Sequence, residues 1–238
     1  MTIPLLETQN VTKYFDFPVL RKVNIFVNPG ERFGLIGPNG SGKTTLINLI
    51  SGILNPSHGR IFFAGEEITK LPAHKRARLG IARTFQIPKP FVSITLLENL
   101  LIPLKYAPDD INDQPTEESL RILALVRLES KAHLRPTDLT QIELRKLELV
   151  RALCLKPKLL LLDEVMAGLS NAEVDDILSI LQTLSEKGIA ILMIEHIMRA
   201  VINFCERISV LNAGEKIAEG TPKEILNNKD VERAYLGE

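Results

Sequence analysis

The most explicit chemistry in the sequence lies in eight consecutive residues near its N-terminus. They match the pattern G-x-x-x-x-G-K-[ST] at every fixed position and are followed by Thr45; the eight are Gly37, Pro38, Asn39, Gly40, Ser41, Gly42, Lys43 and Thr44. Glycines allow successive backbone amides to converge on one anion. Lys43 would neutralise the β- and γ-phosphates of a nucleotide, and the Thr44 hydroxyl would ligate Mg²⁺. We therefore predict a triphosphate-binding loop over residues 37–44, called the phosphate loop below.

The residues on either side of the phosphate loop supply the context that such a loop needs. Residues 32–36 form a short apolar stretch typical of a strand, and residues 44–50 contain no helix breaker. A helix that starts near Lys43 would direct the positive end of its dipole at the phosphates. An ordinary glycine-rich turn is the competing interpretation, and the strand–loop–helix order argues against it.

A pair of carboxylates follows the most apolar stretch of the sequence. Four leucines at residues 159–162 are followed by Asp163 and Glu164, and ligands bind at the carboxyl ends of strands in open α/β sheets. A strand followed by acids is common, and by itself it is equally compatible with a capping role. Together with the phosphate loop, the pair predicts catalysis, in which Asp163 belongs to the Mg²⁺ shell and Glu164 polarises an attacking water.

Two further polar residues follow predicted strands. Gln86 comes directly after residues 81–85, and His196 comes after residues 189–194. A lone histidine at the end of a strand is more often a satisfied surface residue, so the residues alone leave the role of His196 open.

Composition excludes several classes of protein. The chain has 29 Lys and Arg residues against 29 Asp and Glu residues, and this balance argues against a dedicated nucleic-acid binder, which carries a basic excess. The two cysteines, Cys154 and Cys205, lack metal-ligand spacing, so we predict buried free thiols and a reducing compartment. No apolar run approaches the roughly 18 residues of a membrane span. We expect a soluble chain, or one attached to a membrane only through a partner.

The order of predicted elements indicates an α/β fold. Buried strands alternate with helices in the last third of the chain, which is typical of a layered parallel sheet. The middle of the chain differs, because a polar loop over residues 105–116 precedes two predicted helices, residues 117–128 with Thr116 as N-cap and residues 141–155. We predict one α/β core that is interrupted by a mainly helical insertion over residues 88–156.

These motifs, in this order and spacing, resemble those of the ATP-binding cassette ATPases over essentially the whole chain. The matching segments are GPNGSGKTT, LLLLDEVMAGLS and ILMIEHIM. The resemblance implies ATP and Mg²⁺ as cofactors, ATP hydrolysis, and a P-loop NTPase (RecA-like) core with an antiparallel β subdomain and an inserted helical subdomain. It divides the single domain 1–238 into a nucleotide-binding part, residues 1–87 and 157–238, and an insertion, residues 88–156, that carries the signature region.

The resemblance also assigns roles to individual residues. It implies that Phe15 in VTKYF stacks on adenine, with Tyr14 as a near alternative. It implies that Gln86 senses the γ-phosphate and Mg²⁺, that Gly168-Leu169-Ser170 form the loop between subunits, and that His196 contacts the γ-phosphate. The catalytic set is then Glu164, His196 and Gln86, and the metal set is Thr44, Gln86 and Asp163.

The family signature, normally Leu-Ser-Gly-Gly-Gln, is altered in this chain. It falls on Leu139-Thr140-Gln141-Ile142-Glu143, and in the family this segment caps the γ-phosphate of the ATP held by the opposite subunit. Ile142 places a β-branched side chain where glycine allows close backbone approach. Glu143 brings a carboxylate toward a polyphosphate, a like-charge pair that costs roughly 2–3 kcal/mol about 6 Å apart. Smaller departures are Val165 in place of proline and Ile197 in place of aspartate.

The altered signature predicts a heterodimer. Two copies of this chain would form two impaired sites, whereas a second ATPase with an intact signature would complete the site on this chain's nucleotide. The segments IARTFQIPKPFVSITLLENLL and KIAEGTPKEILNNKDVERAYLGE resemble those of the ATPase subunits of branched-chain amino acid importers. The resemblance implies a peripheral protein on the cytoplasmic face of the membrane, bound to transmembrane permease subunits and served indirectly by an external solute-binding protein.

Three alternatives to amino-acid import remain. A cassette that acts on DNA or ribosomes usually carries tandem cassettes, a coiled coil or a basic extension, and none is evident in the sequence. A regulatory subunit that binds ATP without useful hydrolysis would have no need for Glu164 or His196. A cassette for another solute, such as urea or a lipid, is the third.

Overall fold

The structure is a computed structural model that describes residues 3–106 and 114–236. Its strands are β1 (Leu6–Tyr14), β2 (Pro18–Val23), β3 (Phe26–Val27), β4 (Arg32–Ile36), β5 (His58–Phe63), β6 (Glu66–Glu67), β7 (Ile81–Arg83), β8 (Leu159–Asp163), β9 (Ala190–Ile194), β10 (Arg207–Asn212) and β11 (Glu215–Gly220). Its helices are α1 (Lys43–Ile50), α2 (Ala73–Leu79), α3 (Leu96–Leu104), α4 (Pro115–Ala124), α5 (Gln141–Leu153), α6 (Asn171–Glu186), α7 (Met198–Phe204), α8 (Pro222–Leu226) and α9 (Lys229–Leu236).

The main sheet has the strand order β11-β10-β4-β9-β8-β7. Strands β7, β8, β9, β4 and β10 are mutually parallel, and β11 closes one edge antiparallel to β10. The leucines of β8 alternate between two cores, with Leu160 and Leu162 in one cluster and Leu159 and Leu161 in the other. A strand that is buried on both faces needs an unbroken apolar run, which explains the four leucines. The predicted α/β class is confirmed.

A second sheet, with β2, β1, β5 and β6 in that order and β3 paired to β1, is entirely antiparallel. Its inner face shares a core with α1, in which Leu6, Val11 and Leu20 from the strands lie in one cluster with Leu46 and Ile50 from the helix. This sheet is the predicted antiparallel part of the fold. Its packing on α1 fixes the helix that follows the phosphate loop.

Helices α3, α4 and α5 lie between β7 and β8 in the chain and bury Leu100, Leu123 and Leu147 in a shared core. A capping box formed by Thr95 and Glu98 starts α3. These helices occupy the segment predicted as an insertion, and the division at residues 88 and 156 remains a prediction.

Several predicted boundaries differ from the structure. Helix α4 begins at Pro115 with Gln114 as its N-cap residue, because proline is favoured in the first turn, where its missing amide has no partner to lose; Thr116 therefore lies inside the helix. The same helix ends at Ala124 because the chain turns through Arg127 at φ +60°. Helix α5 ends at Leu153 rather than 155. In the predicted polar loop, residues 107–113 lie outside the described residues.

Other sequence-based expectations concern burial. Both cysteines are free and buried, as predicted, and burial raises the pKa of each thiol to about 12. Among the described residues, none of the helices combines the length and the apolar character that crossing a membrane requires.

Candidate nucleotide site

The phosphate loop connects the end of β4 to the start of α1, as predicted, and its glycines lie where a side chain does not fit. Gly37 has a φ of +149°, and a Cβ atom there would lie 2.0 Å from the carbonyl oxygen of Leu211. Gly42 has a φ of +102°, and its Cβ would lie 2.5 Å from a methyl group of Leu20. The tight turn therefore depends on the absence of side chains at these two positions.

Lys43 is held against the phosphate loop itself. Its Nζ donates hydrogen bonds to the carbonyl oxygens of Gly37 at 2.8 Å and Pro38 at 2.9 Å, and the residue is 5% exposed. Burial lowers the pKa of this ammonium, and the carboxylates of Glu164 and Asp163 act in the opposite direction. The ammonium is therefore fixed beside the loop and next to both acids.

The polar groups of the phosphate loop fit a bound polyphosphate. Helix α1 has Gly42 as its N-cap residue and no side-chain cap, so its first amides are available to an anion. The Ser41 hydroxyl is buried and has no hydrogen-bond partner within the described residues. A buried polar atom without a partner is costly, and a phosphate oxygen would satisfy it. A cavity of about 200 Å³ over the loop is lined by Val19, Glu164 and residues 39–45, and Thr44 is exposed.

The two predicted acids, Asp163 at the end of β8 and Glu164 just after it, lie in different environments. Asp163 is buried, and its Oδ2 accepts a hydrogen bond from Nη2 of Arg83 at 2.8 Å. Glu164 adopts a φ of +52°, an uncommon left-handed conformation for a residue with a side chain that costs roughly 1–2 kcal/mol. Its amide donates to the carbonyl oxygen of Ile194 at 2.9 Å, which anchors this strained turn to β9.

In the structure, two of the predicted catalytic residues, Gln86 and His196, contact the carboxylate of the third, Glu164. Gln86 Nε2 lies 2.5 Å from Oε2 of Glu164, and His196 Nε2 lies 2.8 Å from Oε1. Each residue follows a strand of the main sheet, namely β7, β8 or β9, and these strands are consecutive neighbours. Gln86 and His196 therefore lie at the carboxyl ends of strands next to β8, the same position that identified Asp163 and Glu164 in the sequence. This shared edge of the sheet explains why they are close to Glu164.

Three charged residues at this site were missed by the sequence interpretation. Arg83 and Glu195 lie at or just after the ends of strands β7 and β9, beside residues that were assigned, and this position is the signal that could have identified them. Arg145 is on α5, and its guanidinium donates to the carbonyl oxygen of Gln86. Glu195 is 2% exposed, and its Oε1 accepts a hydrogen bond from the Met166 amide at 2.9 Å. Burial raises the pKa of Glu195 to about 7.

The altered signature forms the start of α5. Thr140 is the N-cap residue; its amide donates to Oε2 of Glu143 at 3.0 Å, and the Glu143 amide donates back to the Thr140 hydroxyl at 3.4 Å. The ammonium of Lys131 also binds the Glu143 carboxylate, and these bonds lower its pKa. The Glu143 charge is therefore paired inside the chain, which reduces the repulsion expected from the sequence.

The other signature residues point in different directions. Leu139 and Ile142 are partly buried and pack against the core that includes α5. Gln141 is exposed, and its amide nitrogen lies 3.0 Å from where a Cβ of Gly168 would be. Gly168, the first residue of the predicted inter-subunit loop, therefore leaves room for the side chain of Gln141. Ser170, the last residue of that loop, is the N-cap residue of α6.

Both candidates for adenine stacking are exposed. Phe15 is 55% exposed with the Lys13 ammonium 5.1 Å from its ring centre. Tyr14 is 47% exposed and packs edge-on against His58, with the ring centres 6.2 Å apart. The choice between them remains a prediction.

The phosphate loop after β4 and the acids after β8, with β9 between these strands, define a P-loop nucleotide-binding cassette. Comparison with known proteins agrees: the sequence matches the family described as “ABC transporter” over residues 20–167 and the family described as “Branched-chain amino acid ATP-binding cassette transporter” over residues 215–238. The chain belongs to the ABC transporter family, in which it is an ATP-hydrolysing cassette subunit.

Relatives and a solved structure match nearly the full length of the chain. A probable branched-chain amino acid transport ATP-binding protein, LivG of Archaeoglobus fulgidus, is 38% identical, with 98% of this chain and 95% of the relative covered. The lipopolysaccharide export system ATP-binding protein LptB of Haemophilus influenzae is 36% identical, with 98% of each chain covered. The crystal structure of the ADP conformation of MJ1267, an ATP-binding cassette of an ABC transporter, superposes with a TM-score of 0.90 at 35% identity and full coverage of both chains.

Proposed function

We propose that Glu164 polarises the water that attacks the γ-phosphate of bound ATP. The observation that carries this proposal is the placement of the Glu164 carboxylate within hydrogen-bond distance of both Gln86 and His196. The loop amides, the Ser41 hydroxyl and the Lys43 ammonium would hold the β- and γ-phosphates. Once nucleotide is present, His196 would exchange its hydrogen bond with Glu164 for one in which Nε2 donates to the γ-phosphate.

The same proposal assigns Mg²⁺ to Thr44, Gln86 and Asp163. These residues supply hydroxyl, amide and carboxylate oxygens, which are ligands suited to a hard cation. When bound, Mg²⁺ would neutralise charge on the phosphates. The exposed Thr44 hydroxyl and the fixed Asp163 carboxylate support this assignment.

Replacement of Glu164 by glutamine tests the catalytic role. Glu164→Gln keeps the shape and one hydrogen-bond acceptor but removes the negative charge, so we expect turnover to fall at least about a hundredfold while the ATP-bound dimer becomes more stable. Steady-state hydrolysis and size-exclusion chromatography with ATP, both on the complex of this chain with its partner ATPase, measure the two effects. Glu186→Gln, at the end of α6, is the matched control and should leave both unchanged. Turnover near the wild-type rate in Glu164→Gln would exclude Glu164 as the polarising base.

For the transported solute, we propose branched-chain amino acids. The match of residues 215–238 to a branched-chain amino acid cassette family and the resemblance to LivG support this substrate class. Lipopolysaccharide export is the second candidate, because LptB is similar to almost the same degree. Reconstitution with the co-purified membrane subunits distinguishes them: uptake of labelled leucine supports import, and release of lipopolysaccharide without leucine uptake would reject it.

Transmembrane permease subunits are the partners of an ABC ATPase, and we propose that this chain meets them at the cytoplasmic face through the segment after Gln86. That segment exposes apolar side chains, among them Ile87, which is 71% exposed, and Val92. Exposed apolar side chains close together mark interaction sites. An external solute-binding protein would act through the permease and would not contact this chain.

The functional ATPase unit that we propose is a heterodimer with a second, similar ATPase. Gln141 and Ile142 replace the two glycines of the signature, so a second copy of this chain would approach the γ-phosphate less closely. Hydrolysis by the purified chain alone should be slow and should rise when the partner ATPase is added. Robust hydrolysis by the homodimer would exclude the requirement for a partner.

A further inference from the structure

Arg83 connects the acid strand to the helix that follows the phosphate loop. At the end of β7, its Nη2 donates to Oδ2 of Asp163 at 2.8 Å and its Nη1 donates to Oδ1 of Asn48 at 2.6 Å. Its side chain is largely buried, and Nε has no hydrogen-bond partner among the described residues. The aromatic ring of Phe85 lies 5.3 Å from the guanidinium carbon. The guanidinium therefore has a fixed position.

The backbone explains why Arg83 reaches these two partners. Strand β7 pairs parallel to β8 with Arg83 opposite Leu161, two residues before Asp163. Asn48 lies in α1, the helix that begins with Lys43 and Thr44. A movement of the Asp163 carboxylate would therefore strain a contact with the helix that carries two of the proposed phosphate and metal ligands.

The Asp163 carboxylate is buried, and a buried charge without a partner is strongly destabilising. Arg83 supplies a permanent positive charge at that position. A divalent cation on Asp163 would share the carboxylate with this guanidinium and would be repelled by it. The two effects act together: the carboxylate stays in place without metal, and the metal is held less tightly when it is present.

We propose that Arg83 is a positioning residue that acts as the resident counter-ion of Asp163 and keeps the metal exchangeable. The proposal rests on the assignment of Mg²⁺ to Asp163 in the proposed function. Arg83 touches neither nucleotide nor water in this role, because it acts through the carboxylate. Its effect should therefore be visible in metal affinity, independently of turnover.

The test measures the affinity of Mn²⁺ for the chain in the presence of ADP, from the electron paramagnetic resonance signal of free Mn²⁺. Two neutral variants, Arg83→Met and Arg83→Gln, should bind Mn²⁺ about fivefold more tightly than the wild type, because the repelling charge is gone. Arg83→Lys keeps the charge and should stay within about twofold of the wild type. Arg83→Gln retains an amide donor for Asp163, so it remains informative where Arg83→Met fails to fold by circular dichroism.

Asp163→Asn separates the inference from the proposed function. Mn²⁺ affinity should fall at least about tenfold in this variant, because a charged ligand is lost. An unchanged affinity would overturn the metal assignment and the role of Arg83 with it. Weaker binding in Asp163→Asn without tighter binding in the neutral Arg83 variants would overturn the role of Arg83 alone, because a merely structural arginine does not oppose the metal.

Discussion

Glu195 is a buried carboxyl group whose pKa is raised to about 7, chiefly by burial and in part by the nearby Glu164 charge. In the unfolded chain this group ionises near its ordinary pKa of about 4.5. Between these values the native state binds the proton and the unfolded state does not, so the stability contributed by this group falls as pH rises from about 4.5 to 7. Above pH 7 the full cost of the buried charge, up to about 3 kcal/mol, is present.

Glu195→Gln should therefore stabilise the nucleotide-free chain at pH 8 by up to about 3 kcal/mol and have little effect near pH 4.5. The glutamine oxygen can still accept the Met166 amide, so the hydrogen bond remains. Urea unfolding at both pH values measures the difference. Glu143→Gln is the control with the opposite pH dependence. The pKa of Glu143 is lowered, so the stability that its carboxylate contributes is lost as pH falls. Equal effects of Glu195→Gln at both pH values would contradict the pKa assignment.

At the residue scale, the sequence predicted those site residues whose position follows from a general rule of α/β sheets. The binding of ligands at the carboxyl ends of parallel strands predicted a site at Asp163 and Glu164, and the structure finds the Glu164 carboxylate in contact with His196, whose role the residues alone had left open. The ion pair of Glu143 with Lys131 was not predictable, because Lys131 comes from a different segment, whereas the capping box of Glu143 with Thr140 follows a local sequence pattern that could have identified it. The pairing of Asp163 with Arg83 was equally hidden, since it requires the register of two strands.

At the scale of elements, Arg76 joins α2 to α1. It is fully buried, and its guanidinium donates to the carbonyl oxygens of Leu49 at 2.6 Å and Ile50 at 2.9 Å, in the last turn of α1. It also donates to the carbonyl oxygens of Leu71 and Thr69. Helix α1 has no basic residue in its own last turn. Arg76 therefore satisfies the C-terminal carbonyls of the helix that carries the phosphate loop.

Arg76→Met should lower the free energy of unfolding by about 3 kcal/mol or more, because four carbonyl groups, two of them in buried hydrogen bonds, lose a donor at once. Arg78→Met, on the same helix but exposed, is the matched control and should change stability by less than about 0.5 kcal/mol. Urea denaturation monitored by circular dichroism gives both values. Similar losses in the two variants would mean that Arg76 contributes only through its helix propensity.

Elements with a continuous apolar pattern were predictable from the sequence, and boundaries set by local backbone conformation were not. Residues 32–36 and 159–162 were identified as strands because a buried parallel strand is apolar on both faces. The end of α4 depends on Arg127 in a left-handed conformation, for which the sequence carries no glycine signal. The pairing of β10 with both β4 and β11 depends on contacts between distant segments.

At the scale of the whole molecule, the chain carries parts of two proposed nucleotide sites. The phosphate loop and Glu164 belong to its own site, and the start of α5 would face the nucleotide of the partner ATPase. In this chain the carboxylate of Glu143 is paired with Lys131 and with the Thr140 amide. The features that we expect to limit the partner's site are therefore the two side chains that replace the signature glycines, the exposed Gln141 and the partly buried Ile142.

This expectation can be tested in a mixed dimer in which this chain carries Glu164→Gln, so that the remaining hydrolysis reports the partner's nucleotide. Adding Ile142→Gly should raise that hydrolysis about tenfold, equivalent to about 1.4 kcal/mol of the barrier, although the glycine costs helix stability of roughly 0.5–1 kcal/mol. Glu143→Gln is the matched change next to it: glutamine preserves the capping box, and the carboxylate it removes is already neutralised by Lys131. Turnover should therefore stay nearly unchanged in Glu143→Gln. A larger rise in Glu143→Gln than in Ile142→Gly would show that charge, and not backbone approach, limits the site.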